Sequence, residues 1–347
     1  MAREKIERTR TLRLQDVAEA AGVSLATASR SLSGTSGVSE AVADRVRATA
    51  RELGYVANLH ARSLAAGTSA SVGLVVHEIG DPYFSEIASG VLRVAAPAGL
   101  TVQICHSGRD PERELEQIRM LIANRVGAIV VAGSGFVDAA VQSTARAELQ
   151  AYRQNGGRVA VIGRHHLGVD AVLPDNVAGG RAVTEHLLSL GHRRIAVISG
   201  SRALTTVADR LRGVADGLAG AGLDPDSVPV VEAEFTRAGG KAAVLETLAS
   251  HPGVTAVLAL NDDMAIGALS MLRSQGIAVP GRISVSGFDD VAVAGDLSPS
   301  LTTVRLPMVE MGEKVLQLAL SDPTDRPRRR RVGHELVVRD STAAPSA

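Results

Sequence analysis

The stretch LQDVAEAAGVSLATASRSLS, residues 14–33, decides how the amino-terminal part of the chain folds. Apolar side chains recur at helical spacing before Gly22, and Gly22 can take the left-handed conformation that ends a helix. Ser24 is a favourable N-cap for a second helix, which would expose short side chains together with Arg30. Short side chains let a helix approach the edges of DNA bases, and an arginine can reach guanine with two hydrogen bonds. The stretch favours a helix-turn-helix unit, although an ordinary helical hairpin fits it equally well.

A third helix is predicted after the loop of residues 33–37. Ser39 is placed to cap its start, apolar positions recur along one face, and Gly54 is placed to end it. Three helices of this size can bury one small core, so residues 11–57 are predicted to form a compact headpiece. Residues 1–10 are charged and lack apolar periodicity, and we expect them to be disordered.

Charge is distributed unevenly, although the formal net charge of the 347 residues is zero. Residues 1–67 carry ten Lys and Arg against seven Asp and Glu, which leaves a basic segment on a slightly acidic remainder. Such a segment favours local contact with phosphates. Aromatic residues make up only 2% of the chain, so a platform for stacking nucleic-acid bases is not expected.

Cysteine usage and hydropathy indicate the cellular compartment in which the protein is found. Cys105 is the only cysteine, which excludes an intrachain disulfide and favours a reducing environment. The amino terminus has no apolar signal core, and no apolar run approaches the length needed to span a membrane. We therefore expect a cytoplasmic protein without a membrane partner.

Beyond Ser71, short apolar runs alternate with helical patterns over most of the chain. The predicted strands are residues 72–76, 102–104, 128–131, 159–162, 194–198, 256–260 and 283–287. This alternation predicts an α/β fold of parallel sheets with helices on both faces. Ligands bind such sheets beyond the carboxyl ends of the strands, but periodicity leaves the order of the strands open.

Motifs of enzymes and metal sites are incomplete in this sequence. The segment Gly133–Asp138 follows a predicted strand but lacks the third glycine of a dinucleotide-binding fingerprint. His165 and His166 are adjacent, and His77 has no second histidine one helical turn further on, so neither arrangement suits a metal ion. No catalytic group, cofactor site or metal site is predicted, and we do not expect an enzyme.

Several short motifs match a known family in order and spacing. They are Ser24–Arg30 (SLATASR), Val38–Glu40, Leu53–Tyr55, Asn58, Ala61–Leu64 and Gly67–Thr68. The chain therefore resembles the lac repressor (LacI/GalR) family of bacterial transcription regulators over about residues 11–343. Arg13, Ala28 and Ala57 depart from the residues usual in that family. We expect the first change to remove a capping hydroxyl and the other two to loosen packing.

The resemblance implies how the headpiece would contact double-stranded DNA. The implied contact residues are Ser24, Leu25, Ala26, Thr27, Arg30, Ser39, Asn58 and Leu64. Leu25, Ala26 and Arg30 would face bases in the major groove, whereas the three hydroxyl-bearing residues would contact phosphates. Residues 58–69 correspond to a hinge that becomes helical only on operator DNA. Leu64 corresponds to a side chain that enters the minor groove and bends the duplex.

The resemblance also implies the architecture of residues 70–347. They would form two similar lobes of doubly wound parallel sheets, like a sugar-binding periplasmic protein, with a ligand between the lobes. The first lobe would comprise about residues 70–169 and 296–329, and the second about residues 170–295 and 330–347. Nothing like a tetramer-forming leucine heptad follows, so a homodimer is the expected assembly.

Seven residues are predicted to bind an effector in this core. They are His77, Phe84, Arg164, Thr206, Arg210, Asn261 and Asp289. His77 and Arg164 follow predicted strands, and Phe84 is suited to stack on a sugar ring. Arg210 matches the arginine that binds effectors in the family. Together with Asn261 and Asp289 it offers a donor fork, an amide and an acceptor, which suit a polyol.

The sequence thus predicts a homodimeric repressor of a carbohydrate-related operon. It would read a pseudo-palindromic operator and respond allosterically to a small molecule, most simply a sugar. The alternative is a DNA-binding regulator whose core responds to a protein partner or a non-sugar metabolite. Arg30 and Leu64 argue against a sugar-binding or sugar-processing protein with a vestigial headpiece. The cluster Arg326–Arg331 is expected to be solvated surface, with a second DNA contact as the other interpretation.

Overall fold

The computed structural model describes three parts of the chain, which are residues 12–33, 37–55 and 70–346. Contacts divide the chain into two compact units, residues 1–70 and residues 71–347. Separate apolar cores are buried in the two units. Two predictions lie outside the described residues: the disorder of residues 1–10, and the hinge with Asn58 and Leu64.

The residues that the structure describes in the first unit form three helices. They are α1 (Leu14–Ala20), α2 (Leu25–Ser33) and α3 (Glu40–Glu52). Val17, Ala28 and Val46 are fully buried where the three helices meet. Gly22 lies in the turn between α1 and α2 with a φ of 66°, the left-handed conformation predicted for it. The described part of the headpiece therefore has the predicted helix-turn-helix arrangement.

The helix starts follow the predicted caps only in part. Ser24 Oγ accepts a hydrogen bond from the Thr27 N–H at 3.1 Å, as predicted for the start of α2. Arg13 has no capping hydroxyl, but the Asp16 carboxylate accepts a hydrogen bond from the Arg13 N–H at 2.7 Å. Ser39 occupies the predicted N-cap position of α3, but its side chain makes no capping hydrogen bond. Because Ser39 is exposed, water can satisfy the free N–H groups of this helix.

The second unit begins with a parallel sheet of six strands. The strands are β1 (Ser71–Val76), β2 (Thr101–His106), β3 (Ala128–Ala132), β4 (Arg158–Ile162), β5 (Asp170–Pro174) and β11 (Arg329–Val332). Their order is β11-β5-β4-β3-β1-β2. The helices around this sheet are α4 (Pro82–Ala95), α5 (Pro111–Ala123), α6 (Ser143–Gln154) and α11 (Met308–Leu320). Leu74 packs with the α4–α11 face and Val75 with the α5–α6 face, which is the alternation that a strand requires.

A second, smaller parallel sheet follows. Its strands are β6 (Ile195–Ser199), β7 (Val230–Glu232), β8 (Ala256–Ala259) and β9 (Ser284–Ser286). Their order is β7-β6-β8-β9. The helices around it are α7 (Asn176–Ser189), α8 (Thr205–Gly220), α9 (Arg237–Ser250) and α10 (Asp262–Ser274). An antiparallel pair, β10 (Thr303–Arg305) and β12 (Glu335–Val337), completes the unit.

The predicted lobe boundaries differ from the two sheets at two strands, β5 and β11. Strand β5 begins at Asp170 and still pairs with β4, so the chain leaves the first sheet after Pro174 rather than near residue 170. Strand β11 also belongs to the first sheet and extends to Val332. These strands were not predicted because they are short and, in β11, carry the polar run RRRV instead of an apolar one.

Both sheets are firmly buried. Leu74, Ile129, Ile198 and Leu258 have no exposed surface, and each sheet is packed between helices. A rigid sheet fixes the loops at the carboxyl ends of its strands, which is where a binding site can be built most accurately. In the described parts of the chain, no helix is long and apolar enough to cross a lipid bilayer.

Candidate functional site

A cavity with a volume of about 50 Å³ lies at the carboxyl ends of strands from both sheets. This edge is where ligands bind parallel sheets. Six of the seven predicted effector residues line it, namely His77, Phe84, Thr206, Arg210, Asn261 and Asp289. The seventh, Arg164, does not. The topology therefore brings together residues that are more than 200 positions apart in the sequence.

Arg210 is the most firmly held side chain of the cavity. It extends from α8, is almost fully buried, and donates to Asp289 Oδ1 at 2.8 Å and to Asn176 Oδ1 at 3.0 Å. A further N–H donates to the Leu260 carbonyl, and the guanidinium carbon lies 3.7 Å from the ring centre of Phe288. These contacts hold the donor fork in one orientation, so a ligand finds it already positioned.

Asp289 faces the cavity from the loop after β9. Its φ of 114° is unusual for a residue other than glycine, and its N–H donates to the Val304 carbonyl at 2.8 Å. Burial raises the pKa of Asp289 to about 7, while the neighbouring Arg210 guanidinium acts in the opposite direction. Oδ1 accepts from Arg210, which leaves Oδ2 as an acceptor for a ligand hydroxyl.

Asn261 supplies a donor beside this acceptor. It is the N-cap of α10, and its Oδ1 accepts a hydrogen bond from the Met264 N–H at 2.9 Å. The cap fixes the side chain and leaves the amide NH₂ group to face the cavity. A fixed donor next to a fixed acceptor matches vicinal hydroxyl groups, which both donate and accept.

A second acid–arginine pair lines the opposite part of the cavity. Asp81 caps α4 by accepting from the Tyr83 N–H at 3.0 Å, and its other oxygen accepts from Arg109 at 3.4 Å. The Arg109 guanidinium lies 4.9 Å from the ring centre of Phe235, which belongs to the second sheet region. Burial raises the pKa of Asp81, and Arg109 opposes this effect.

Arg109, Phe235, Tyr83 and Ser134 line the cavity but were not predicted. Phe235 could have been noticed because the chain has only four phenylalanines. Arg109 follows Gly108 at the end of β2 and adopts a left-handed φ of 62°, which aims its side chain in a way that sequence spacing does not reveal. Asp81 also lines the cavity and was not among the predicted effector residues.

His77 connects the cavity to a buried polar cluster. Its ring lies 5.7 Å from that of Phe84, and its Nε2 is 3.9 Å from Glu114 Oε2. Gln142 donates to the other Glu114 oxygen at 3.3 Å and lies 3.0 Å from His165 Nδ1. Burial lowers the pKa of His77, so its imidazole is neutral near pH 7. The cluster joins the loops that follow three strands of the first sheet and stiffens that wall of the cavity.

Arg164 lies outside the cavity, so its predicted role there is not supported by its position. Its guanidinium donates to Asp209 Oδ1 at 2.7 Å and is 46% exposed. Asp209 precedes Arg210 on α8, so the ion pair joins the two sheet regions. The same junction contains a hydrogen bond from the Thr206 N–H to Ser134 Oγ at 2.9 Å.

The predicted DNA-facing residues of the first unit can be located as far as the structure describes them. Leu25 is 52% exposed at the start of α2, and Ala26 and Arg30 are exposed on the same helix. Ser24 and Ser39 are exposed, while Thr27 is half-buried with its hydroxyl 2.8 Å from Ser24 Oγ. The exposed Leu25 side chain lies beside small residues and an arginine and does not contribute to the headpiece core. This arrangement is consistent with a surface that contacts another molecule.

Comparison with known proteins identifies matches to both units. A model of the bacterial regulatory proteins of the lacI family matches residues 13–58, and a model of the periplasmic binding protein-like domain matches residues 184–342. The HTH-type transcriptional regulator GalR of Escherichia coli K12 is 36% identical over 316 residues, which is 90% of each chain. The regulator DegA of Bacillus subtilis 168 is 31% identical over 335 residues, covering 95% of this chain and 98% of that one.

Solved structures agree with these matches. A complex of the transcriptional regulator CelR with cellobiose is 31% identical, covers 95% of this chain and 99% of its own, and gives a TM-score of 0.69. A lac repressor dimer bound to operator and the anti-inducer ONPF is 25% identical, with coverage of 96% and 100% and a TM-score of 0.80. These matches confirm the predicted fold class of a helix-turn-helix headpiece with a periplasmic-binding-protein-like core.

Proposed function

The chain belongs to the lacI family of bacterial regulatory proteins, and on that premise we propose that it is a homodimeric repressor controlled by a neutral sugar. Residues 11–57 would bind DNA, residues 58–69 would form the hinge, and residues 70–347 would bind the effector and dimerise. The relatives reported above are transcriptional regulators, which supports a regulatory rather than an enzymatic role. We expect this regulator to bind its operator in the cytoplasm.

The surface of α2 supports the DNA-binding part of the proposal. Leu25, Ala26 and Arg30 form an exposed strip in which two side chains are compact or apolar and one carries a guanidinium. Such a strip can enter the major groove, where Arg30 is suited to guanine and the apolar side chains to thymine methyl groups. Ser24 and Ser39 are exposed nearby for phosphate contact.

Exposed apolar residues beside one edge of the six-stranded sheet support a dimer. Ile79, Leu92 and Ile104 are each at least 40% exposed, and they lie after β1, on α4 and on the edge strand β2. Large aliphatic side chains grouped on one side of a soluble protein favour burial against a partner. Because a twofold dimer presents two headpieces, its preferred operator would be a pseudo-palindrome.

The charge balance of the cavity supports a neutral ligand. Both arginines that line it already have a carboxylate partner, Arg210 with Asp289 and Arg109 with Asp81. A phosphorylated or carboxylated ligand would therefore meet a carboxyl group that already occupies each guanidinium. Neutral hydroxyl groups can use the remaining oxygens and N–H groups of both pairs, and Phe84 and Phe235 can cover the apolar face of a sugar ring.

The single observation that carries the effector proposal is the arrangement of Asn261, Asp289 and Arg210 in one cavity. The test is fluorescence anisotropy of the full chain on a palindrome selected from random DNA, repeated at constant salt with neutral sugars and their phosphates. We expect a neutral sugar to change DNA affinity and its phosphate to have no effect. Selection of a palindrome without any sugar response would refute the effector assignment and favour a protein partner or another metabolite.

A further inference from the structure

The edge strand β11 forms one side of a large groove that lies apart from the effector cavity. The groove has a volume of about 980 Å³, and its basic lining consists of Arg164, Lys314 and Arg328–Arg331. We name it the β11 groove. The sequence predicts that the cluster Arg326–Arg331 is solvated surface or a second DNA contact. Its position in a concave site, rather than on a projecting loop, indicates a different role.

Half of these basic side chains have a carboxylate partner. Arg164 pairs with Asp209 at 2.7 Å, Lys314 with Glu310 at 2.6 Å, and Arg328 with Asp170 at 2.6 Å. Among the residues that the structure describes, no carboxylate lies within ion-pair distance of Arg329, Arg330 or Arg331. The groove therefore has an excess of positive charge, which the effector cavity lacks.

The arginine row is held in place by its neighbours. Asp170 accepts hydrogen bonds from both the backbone N–H and the guanidinium of Arg328, which fixes the start of the strand. The strand register places Arg329 opposite Ala171 and Arg331 opposite Leu173, so both side chains leave the same face. Alternate residues of a strand are about 6.6 Å apart, a spacing at which two guanidiniums can bind adjacent phosphate groups.

The shape of the groove favours a small ligand over a duplex. The Arg329 guanidinium donates to the carbonyls of Val169 and Arg328, which draws it toward the protein instead of outward. Val161 and Ala171 contribute apolar surface to the floor, and Gly163 and Gly168 leave room beside it. We propose that the β11 groove binds a small molecule that carries two or more phosphate groups and an apolar or sugar-like body.

The test uses inorganic pyrophosphate as the probe and the full chain as the protein. Binding is measured by isothermal titration calorimetry at about 0.15 M salt, where weak ion-atmosphere effects are largely screened. The variant Arg329→Ser/Arg331→Ser removes the two exposed side chains that leave the same face of β11. The matched control, Arg212→Ser/Lys241→Ser, removes the same charge from exposed positions on α8 and α9.

We expect saturable binding that weakens about tenfold or more in the groove variant and stays within twofold of wild type in the control, because charge-assisted hydrogen bonds are lost only in the first. Equal weakening in both variants would mean a nonspecific ion atmosphere and overturn the proposal. Absence of binding would also overturn it.

A third contrary result is loss of affinity for random duplex DNA in the groove variant without any pyrophosphate binding, which would identify a second DNA contact. A groove variant that aggregates while pyrophosphate fails to bind wild type would assign the arginines to protection of the sheet edge.

Discussion

The titration of Asp289 offers a test of the cavity that needs no knowledge of the effector. Burial raises the pKa of this carboxyl from its ordinary value of 3.8 to about 7 in the folded protein. Between these two values the folded state holds a proton that the unfolded state has released. The contribution of Asp289 to the free energy of unfolding is therefore largest below about pH 4 and is lost as the pH rises through 7, which is the opposite of a salt-bridged surface carboxylate.

The size of the effect follows from the two pKa values. One unit of difference corresponds to about 1.4 kcal/mol, so Asp289 lowers the free energy of unfolding by about 2–3 kcal/mol between pH 5 and pH 8. The variant Asp289→Asn has nearly the same shape but does not titrate. Whatever its stability at pH 5, the variant should gain that amount relative to wild type when the pH is raised to 8.

Urea unfolding at the two pH values measures this difference. Far-UV circular dichroism is the suitable signal, because the chain contains no tryptophan. Asp262 titrates in both proteins, and the Asp289 charge is one cause of its raised pKa, so the comparison reports Asp289 together with its effect on Asp262. The variant Asp216→Asn is the control, since Asp216 is exposed on α8. Identical pH dependence in wild type and Asp289→Asn would refute the reasoning and mean that Arg210 keeps Asp289 ionised throughout.

Three further predictions concern the DNA-facing helix α2, the effector cavity and the ion pair that joins the two sheet regions. Arg30→Ala should weaken binding to the selected palindrome by about 5- to 150-fold, the cost of one base contact, with a smaller loss on random DNA; anisotropy on both duplexes checks this, and equal losses would contradict it. Phe235→Ala should weaken sugar binding about tenfold by removing an aromatic surface of the cavity, while DNA affinity without sugar stays unchanged. A double-mutant cycle of Arg164→Ala and Asp209→Ala should give a coupling of about 0.2–1 kcal/mol in urea unfolding, because the pair is partly exposed; a value near zero would show that this junction contact is not formed in solution.

Sequence patterns correctly predicted the positions of the strands that carry long apolar runs. The central strands β1, β3, β4 and β8 were predicted within about one residue, because both of their faces are buried and each reads as a continuous apolar segment. The edge strand β11 was missed because it carries the polar run RRRV instead of an apolar one. The lobe boundaries were misplaced for the same reason, since they depend on which sheet such a strand joins.

Some cavity residues were predictable from the sequence, whereas others depend on the order of the strands. Asn261 and Asp289 follow strands directly, so the general rule for parallel sheets located them. Arg109 and Phe235 face each other across the two sheet regions, and that meeting depends on strand order, which periodicity does not supply. Arg164 also follows a strand, but an acidic partner on α8 holds it outside the cavity. Position after a strand thus indicates a loop near the site without indicating where its side chain points.

The contacts between the two sheet regions set the energy scale on which an effector must act. They include the exposed Arg164–Asp209 pair, the hydrogen bond from Thr206 to Ser134, and the Arg109–Phe235 contact at the cavity wall. Each is of a type worth about 1 kcal/mol or less when partly solvated. A sugar that touches Thr206, Arg109 and Phe235 can therefore change their sum by 1–3 kcal/mol, the usual range of allosteric coupling. Because the coupling is reciprocal, a sugar that releases operator DNA must bind the free protein more tightly than the DNA-bound protein by the same factor.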